Sequence, residues 1–168
     1  TKYDISELKY PVELVDEVNL EILVRPRKPS SHILTLHESE TSFLTLEILE
    51  GKPRVVFKNG ASDPVILKSD DEVFRPEEQV WQKIRVCRSV DQLVLHVSKL
   101  DESTKSSEVF VSSENGGPSF ASNTTSLILG ALPEPLDGVK STSTKMELAE
   151  VMLNGREIFV WNFDESAD

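Results

Sequence analysis

The sequence predicts an all-β protein built as a sandwich of two antiparallel sheets. About ten short stretches of alternating apolar and polar residues recur along the chain, at spacings of roughly 8 to 15 residues. Turn-forming Gly, Pro, Asn and Asp residues separate these stretches. No long stretch repeats its apolar residues with the 3.6-residue period of a helix, so an α/β fold would lack its helices.

The stretch around which the chain is organised is a predicted β-hairpin at residues 81–100, with the sequence WQKIRVCRSVDQLVLHVSKL. In its first half, Ile84 and Val86 alternate with Lys83, Arg85 and Cys87, so the two sets point to opposite faces. The second half alternates in the same way after a turn at residues 88–91. Because an isolated hairpin is not stable in water, we expect other strands to form a second sheet over its apolar face.

The other strands follow from the same alternation, taken in chain order. Residues 3–15 form a mixed edge segment, residues 50–53 and 59–60 are predicted turns, and residues 68–80 are a predicted loop. Residues 146–153 fit either a bulged strand or one helical turn, and Asn154-Gly155 after them favours a hairpin because both positions tolerate positive φ. The remaining predicted strands are residues 18–24, 32–37, 43–49, 55–58, 64–67, 108–111, 127–129 and 156–163.

Length and charge limit the classes of function. A chain of 168 residues, 38% of them hydrophobic, is long enough for one domain with a full core. The net charge of -11 opposes binding to nucleic acid, to anionic lipid and to sulfated sugars such as heparin. Arg25, Arg27 and Lys28, or Lys52 with Arg54, could form a local basic patch, but such short groups are more often solvated loop residues.

The single cysteine, Cys87, excludes an internal disulfide and any cysteine-rich metal cluster. Its position in the alternation predicts that it faces away from the core, where it could pair with another chain or be covered and inert. Three aromatic rings crowd residues 159–163, so Trp161 and Phe163 are candidate interface residues. The sequence shows neither a signal peptide nor an apolar run of membrane-spanning length, and it starts at Thr1; we therefore expect a fragment of a longer protein.

Five motifs in one order carry a family resemblance. They are FLTLEIL at residues 43–49, the run from Gly51 to Phe57, WQKIRV at residues 81–86, LILGALP at residues 127–133, and the segment from Leu148 through NGREI at residues 154–158. The chain resembles the laminin G-like domain over nearly all of residues 1–168. The resemblance implies a jelly-roll sandwich in an extracellular or cell-surface protein that binds receptors, matrix glycans or adhesion proteins.

The chain also departs from the family pattern at two places. Met146 and Glu147 stand where the family often has Gly and Cys, so its usual C-terminal disulfide is missing. The resemblance places the family's calcium aspartate at Ser42, and a serine supplies too little charge for a cation that needs six to eight oxygen ligands. Glu38 and Glu40 lie nearby, but we expect them to belong to a solvated turn. We therefore expect no metal and no cofactor.

Asn123-Thr124-Thr125 is an acceptor sequence for N-linked glycosylation in the secretory pathway. The resemblance implies that pathway, so Asn123 is the predicted glycosylation site. The alternative is an unmodified polar loop before a strand.

Enzymatic sites are not indicated. Glu147 and Glu150 do not have the spacing of the paired carboxylates of jelly-roll glycosidases. The three histidines are dispersed along strands and do not have the spacing of metal ligands: His32, His37 and His96. We therefore expect a non-enzymatic module that binds a protein receptor or matrix protein, without nucleic acid, heparin or membrane insertion. The alternatives are a carbohydrate or small-molecule binding sandwich, and a structural module that assembles with neighbouring domains.

Overall fold

The computed structural model describes residues 2–8, 12–14, 16–89, 91–99, 109–113, 120–130, 132, 134–141 and 143–160. In these residues, twelve strands form two antiparallel six-stranded sheets, which confirms the predicted fold class. Sheet A has the order β1 (Lys2–Asp4), β10 (Ser126–Leu129), β3 (Ser31–Ser39), β4 (Ser42–Leu49), β5 (Lys52–Asn59) and β6 (Val65–Lys68). Sheet B has the order β12 (Arg156–Val160), β11 (Met146–Leu153), β2 (Val18–Pro26), β7 (Gln82–Arg88), β8 (Leu93–Lys99) and β9 (Val109–Ser113).

The helical elements of the described chain are two single 3-10 turns, Ile5–Glu7 and Pro76–Glu78. Neither these turns nor any other part of the described chain provides an apolar helix long enough to cross a bilayer.

The main core lies between the two sheets, and the predicted hairpin of β7 and β8 forms part of it. Ile84 pairs with Val97 and Val86 pairs with Leu95 across the hairpin, and all four side chains are fully buried. Full burial of one such side chain contributes roughly 1.5–3 kcal/mol. Large side chains from both sheets and from the loops complete this core, among them Leu20, Ile22, Leu36, Leu46, Phe57, Phe74 and Phe120.

One of three predicted elements differs in detail from the structure, and the other two are confirmed. The predicted turn at residues 50–53 is shorter, because β5 begins at Lys52 and Pro53 pairs with Ile48. Residues 146–153 are a bulged strand, with a shift of register between Leu148 and Glu150. The hairpin at Asn154-Gly155 is confirmed by φ angles of 48° and 77°.

The central strands of sheet A, β3 to β5, are buried on both faces over most of their length, whereas alternation predicted one buried face. The outer face of the sheet carries a second, smaller hydrophobic cluster of Phe43, Val56, Leu132 and Leu136, with Val139 packed against it. Residues 132 and 134–141 therefore form a cover over the outer face of sheet A. Because both faces of the central strands are covered, successive residues along these strands are buried. Thr45 and Glu47 of β4 are therefore buried as fully as their apolar neighbours.

A buried ion pair attaches this cover to the sheet. Arg54 Nε lies 2.9 Å from Glu47 Oε1, and the Glu47 side chain is 0% exposed. Glu47 also accepts hydrogen bonds from the backbone N–H groups of Lys140 and Ser141, the shortest at 2.8 Å. Arg54 Nη2 donates to Gly138 O at 2.8 Å. The two charged side chains thus hold consecutive parts of the cover, and neither position was singled out by the sequence for this role.

Gly51 joins the β4–β5 turn to the loop before β7. Its N–H donates to Pro29 O at 2.7 Å, and its carbonyl accepts from Val73 N and Phe74 N at 3.0 Å each. Gly51 has φ +80°, and an added Cβ would collide with the Glu72 side chain and lie 2.9 Å from Phe74 O. Glycine is therefore required here by both backbone conformation and space.

We expect Gly51→Ala to lower the free energy of unfolding by about 2–4 kcal/mol, because a left-handed residue and an overpacked contact each carry a cost. Gly60→Ala is the matched control, since Gly60 has φ +82° but an added Cβ meets no atom within 4 Å. Gly60→Ala should lower the free energy of unfolding by only about 1–2 kcal/mol, because the left-handed backbone conformation is then the only cost. Urea unfolding of both variants measures the difference, and equal losses would contradict the close-contact argument.

Candidate functional site

The sandwich has two ends with different chemistry. β2 ends at Pro26 and β3 begins at Ser31, so the connection between the sheets lies at one end, here named the Arg25 end. β3 then runs to Glu38 and the turn before β4 at the opposite end, here named the Glu38 end. At a rise of about 3.4 Å per residue, the seven steps from Ser31 to Glu38 separate the two ends by roughly 24 Å.

Four side chains meet at the Arg25 end, and we name them the Arg25 cluster: Arg25, Arg27, Trp81 and Glu147. Arg25 and Glu147 are register partners on β2 and β11, and Arg25 Nε donates to Glu147 Oε2 at 2.7 Å. Arg27 Nη2 donates to Glu147 Oε1 at 2.9 Å. The guanidinium carbon of Arg25 also lies 4.9 Å from the centroid of the Trp81 ring, a cation–π distance.

Electrostatics keep the Arg25 cluster ionised. Partial burial opposes ionisation of Glu147, but the hydrogen bonds and charges of Arg27 and Arg25 outweigh it and lower the pKa of this carboxyl. The Arg25 side chain is 35% exposed and the Arg27 side chain 49% exposed, so both remain accessible to a partner. Two guanidinium groups against one carboxylate leave a positive surplus on a chain that is acidic overall. Lys145 is adjacent, because its carbonyl accepts from the N–H groups of Arg27 and Lys28.

The expectation that Arg25 is a solvated loop residue needs correction, whereas Arg27 lies in the loop after β2 with an exposed side chain, as expected. Arg25 lies in β2, and both arginines bind Glu147. The alternation of β2 continues through Asn19, Glu21 and Leu23 to Arg25, which is the sequence signal that could have placed Arg25 on the outer face. The partners Trp81 and Glu147 are far away in sequence, and no local pattern connects them to it.

At the Glu38 end, the Glu38 carboxylate contacts the loop before β10. Glu38 Oε2 accepts from the N–H of Ala121 at 2.9 Å and lies 3.4 Å from Thr125 Oγ1, which attaches the loop before β10. Ser122 Oγ donates to Val12 O at 2.7 Å and adds a second attachment. Asn123 lies between these contacts and is exposed.

The same end carries a depression lined by three carboxylates. They belong to Glu13, Asp16 and Glu17, beside the side chains of Asn19 and Asn154. Asn154 Oδ1 accepts from Asn19 N at 2.6 Å, and Asn154 Nδ2 donates to the carbonyls of Glu13 and Glu17. The asparagine at the hairpin turn therefore fixes the acidic segment, and the Glu38 end is opposite in charge to the Arg25 cluster.

Calcium ligation at the position that the resemblance suggests is not supported by the residues present. Ser42 begins β4 and offers a neutral hydroxyl, and Glu38 already accepts a hydrogen bond from the N–H of Ala121. Within the described part of the chain, no group of three or more His, Cys, Asp or Glu residues is arranged to hold a metal ion. Calcium needs several charged oxygen ligands, so these residues do not fit it.

The three histidines occupy different environments on their strands. His32 is fully buried, whereas His37 and His96 are partly exposed. His32 Nδ1 lies 2.7 Å from Gly130 O, and Nε2 lies 2.9 Å from Thr35 Oγ1 and 2.8 Å from Thr45 Oγ1. Because a carbonyl only accepts, Nδ1 carries the proton and Nε2 accepts from a threonine hydroxyl. Burial lowers the pKa of His32 to about 4, although the bond to Gly130 partly opposes this.

Cys87 lies on the outer face of sheet B, as its parity predicts. It is half-buried, and Sγ donates to Asn19 Oδ1 at 3.3 Å. Burial raises the pKa of this thiol, which reduces the reactive thiolate. Its contact with another chain stays a prediction. Trp161 and Phe163 lie outside the described residues, and their interface role also stays a prediction.

Comparisons with known proteins show a fold shared with laminin. The LG1-3 region of the laminin alpha2 chain superposes with a TM-score of 0.73 at 16% identity, covering 94% of this chain and 30% of that chain. The LG4-5 domains of the mouse laminin alpha1 chain give a TM-score of 0.69 at 17% identity, covering 93% of this chain and 39% of that chain. The tailspike protein 2 of Escherichia coli O157:H7 bacteriophage CAB120 gives 0.53 at 14% identity, covering 84% of this chain and 20% of that chain.

The chain thus spans roughly 30–39% of the length of the laminin structures that it matches. No curated protein sequence matches it. The family model described as "Laminin G domain" matches residues 24–149. Laminin G domains are generally binding modules of extracellular proteins, and their fold family is non-enzymatic. Because that match extends over most of the sequence, the chain belongs to the laminin G domain family.

Proposed function

We propose that this chain is a non-enzymatic binding module of an extracellular or cell-surface multidomain protein, and that it recognises a protein receptor or a matrix protein. Residues 1–168 are proposed to form one laminin G-like domain. The single observation that carries the proposal is the Arg25 cluster, in which a tryptophan and two arginines share one surface.

The composition of the Arg25 cluster favours a protein partner. Trp and Arg are enriched among the few residues that dominate the free energy of protein association. Glu147 holds both guanidinium groups before a partner arrives, so less side-chain entropy is lost on binding. The positive surplus of the cluster favours a partner surface with acidic side chains.

The charge of the whole chain argues against a polyanionic ligand. Heparin is a long polyanion and would meet a molecule of net charge -11, with only a small basic area to bind. A protein partner can place one or two carboxylates on the Arg25 cluster without bringing a continuous run of negative charge. We also propose that binding needs neither calcium nor a cofactor.

We expect Arg25→Ala and Trp81→Ala each to weaken binding at least about tenfold, the loss that corresponds to about 1.4 kcal/mol. The probes are an array of recombinant receptor ectodomains and matrix proteins, a glycan array, and heparin-agarose at physiological salt. Affinities for any ectodomain found on the array are measured by surface plasmon resonance, with and without calcium chelator.

Lys58→Ala is the control, because Lys58 pairs with the exposed Asp137 on the outside of sheet A, away from the Arg25 cluster. Circular dichroism of each variant checks that the sandwich remains folded. Affinity unchanged in both Arg25→Ala and Trp81→Ala would reject this surface. Retention on heparin, or binding only on the glycan array, would reject a protein ligand, and loss of binding in chelator would reject calcium independence.

A further inference from the structure

The sequence contains one acceptor tripeptide for N-linked glycans, Asn123-Thr124-Thr125, and the structure places it at the Glu38 end. Asn123 and Thr124 are exposed in the turn at residues 122–124. An attached glycan would point into solvent from this turn, so the fold has room for it. A modified Asn123 is therefore compatible with every described contact of the loop.

The third residue of the tripeptide has the opposite environment. Thr125 is 2% exposed, and its Oγ1 donates to Ala121 O at 2.7 Å. The same hydroxyl lies 3.4 Å from Glu38 Oε2, and the backbone N–H of Ala121 donates to that carboxylate. The acceptor tripeptide requires a hydroxyl in its third residue, so the transferring enzyme must recognise this group. In the folded chain it is buried and already bonded.

We propose that Asn123 carries an N-linked glycan and that the glycan is transferred before the loop at residues 120–125 folds. In the reaction, the side-chain nitrogen of Asn123 forms a bond to the anomeric carbon of a lipid-pyrophosphate-linked oligosaccharide. The lipid pyrophosphate leaves, and the amide nitrogen loses one proton. Folding then buries Thr125 and fixes the glycosylated turn at the Glu38 end. This inference rests on the proposed extracellular location, because the donor is found in the secretory pathway.

The position of the glycan determines which surface stays open. It projects from the Glu38 end, roughly 24 Å along β3 from the Arg25 end. The glycan would therefore shield the Glu38 end and leave the Arg25 cluster accessible. Glycosylated and unglycosylated chains are expected to bind a ligand of the Arg25 cluster with equal affinity.

The first experiment translates the whole chain behind a cleavable signal sequence in the presence of microsomes. We expect a shift to higher apparent mass that peptide-N-glycosidase reverses. Asn123→Gln and Thr125→Ala should abolish the shift, whereas Thr125→Ser should retain it. Asn123→Gln changes an exposed side chain, so its effect does not depend on folding. Absence of the shift in the unaltered chain would overturn the proposal while leaving the binding function untouched, because the binding measurements on the Arg25 cluster can be made with protein produced without glycans.

The second experiment tests the order of events. Purified, folded chain and a peptide of residues 119–129 are each incubated with solubilised oligosaccharyltransferase and the lipid-linked donor. We expect the folded chain to be modified at least about tenfold more slowly than the peptide, because only locally opened molecules expose Thr125. Equal rates for the two substrates would overturn the claim that transfer precedes folding.

Discussion

Replacing Arg54 with methionine is expected to lower the free energy of unfolding by about 3–5 kcal/mol, because the change leaves the buried Glu47 carboxylate without its counter-ion. The Glu47 side chain is 0% exposed, and the backbone N–H groups of Lys140 and Ser141 would be its remaining described partners. Urea unfolding measures the loss. Hydrogen exchange should also show weaker protection of the amides in residues 138–141, since Gly138 O loses its donor.

Lys58→Met is the matched control, because Lys58 also binds the cover over sheet A. Its partner Asp137 is 56% exposed at a distance of 3.1 Å, so this ion pair is solvated. Solvated ion pairs contribute about 0–1 kcal/mol to the free energy of unfolding, so Lys58→Met should lower it by no more than this. Adding Glu47→Gln to Arg54→Met removes the uncompensated charge and keeps one acceptor oxygen, so part of the stability should return. A loss in Arg54→Met as small as in Lys58→Met would refute the role of the buried pair.

Acidification from pH 7 to pH 4 is expected to remove up to about 3 kcal/mol of stability through His32 alone, since each pKa unit corresponds to 1.36 kcal/mol. In the folded chain the pKa of His32 is lowered from 6.5 to about 4. Between these values the unfolded chain binds a proton that the folded chain does not. Stability is therefore fully present above pH 6.5 and is lost as the pH falls towards 4.

His32→Asn should reduce this pH dependence, because an asparagine amide can still donate to Gly130 O but does not titrate. His37→Asn, which changes a partly exposed histidine on the same strand, is the control. Urea unfolding at several pH values compares the slopes of the three proteins, which separates His32 from the carboxylates that all three share. An unchanged slope in His32→Asn would contradict the assignment.

The amino-acid sequence predicted sheet B better than sheet A. β2, β7 and β8 alternate between buried and more exposed positions, as expected for a sheet with one face in the core. β4 contains six consecutive fully buried residues, 43–48, because the cover shields its outer face as well. The alternation of apolar and polar residues predicts only which side chains lie on each face of a strand. It cannot predict that the cover, about ninety residues later in the chain, packs on the face that carries Thr45 and Glu47.

His32 and Glu47 show the same limit at single residues. A histidine and a glutamate on strands are ordinarily read as solvent-facing, since burying them is costly without partners. Their partners, Gly130 for His32 and the N–H groups of Lys140 and Ser141 for Glu47, are 98, 93 and 94 residues away in the chain. Only the assembled fold brings these groups within hydrogen-bonding distance.

The sequence by itself determined most of the strands, the Asn154-Gly155 turn, the acidic charge and the acceptor tripeptide at Asn123. Alternation and turn chemistry depend on a few neighbouring residues, and charge and the tripeptide are read directly from the residues present. Tertiary structure alone decided that Arg25 contacts Trp81 and, 122 residues away, Glu147. Those contacts depend on the register of β2 against β7 and β11, and register is fixed by packing of the whole core rather than by any one strand.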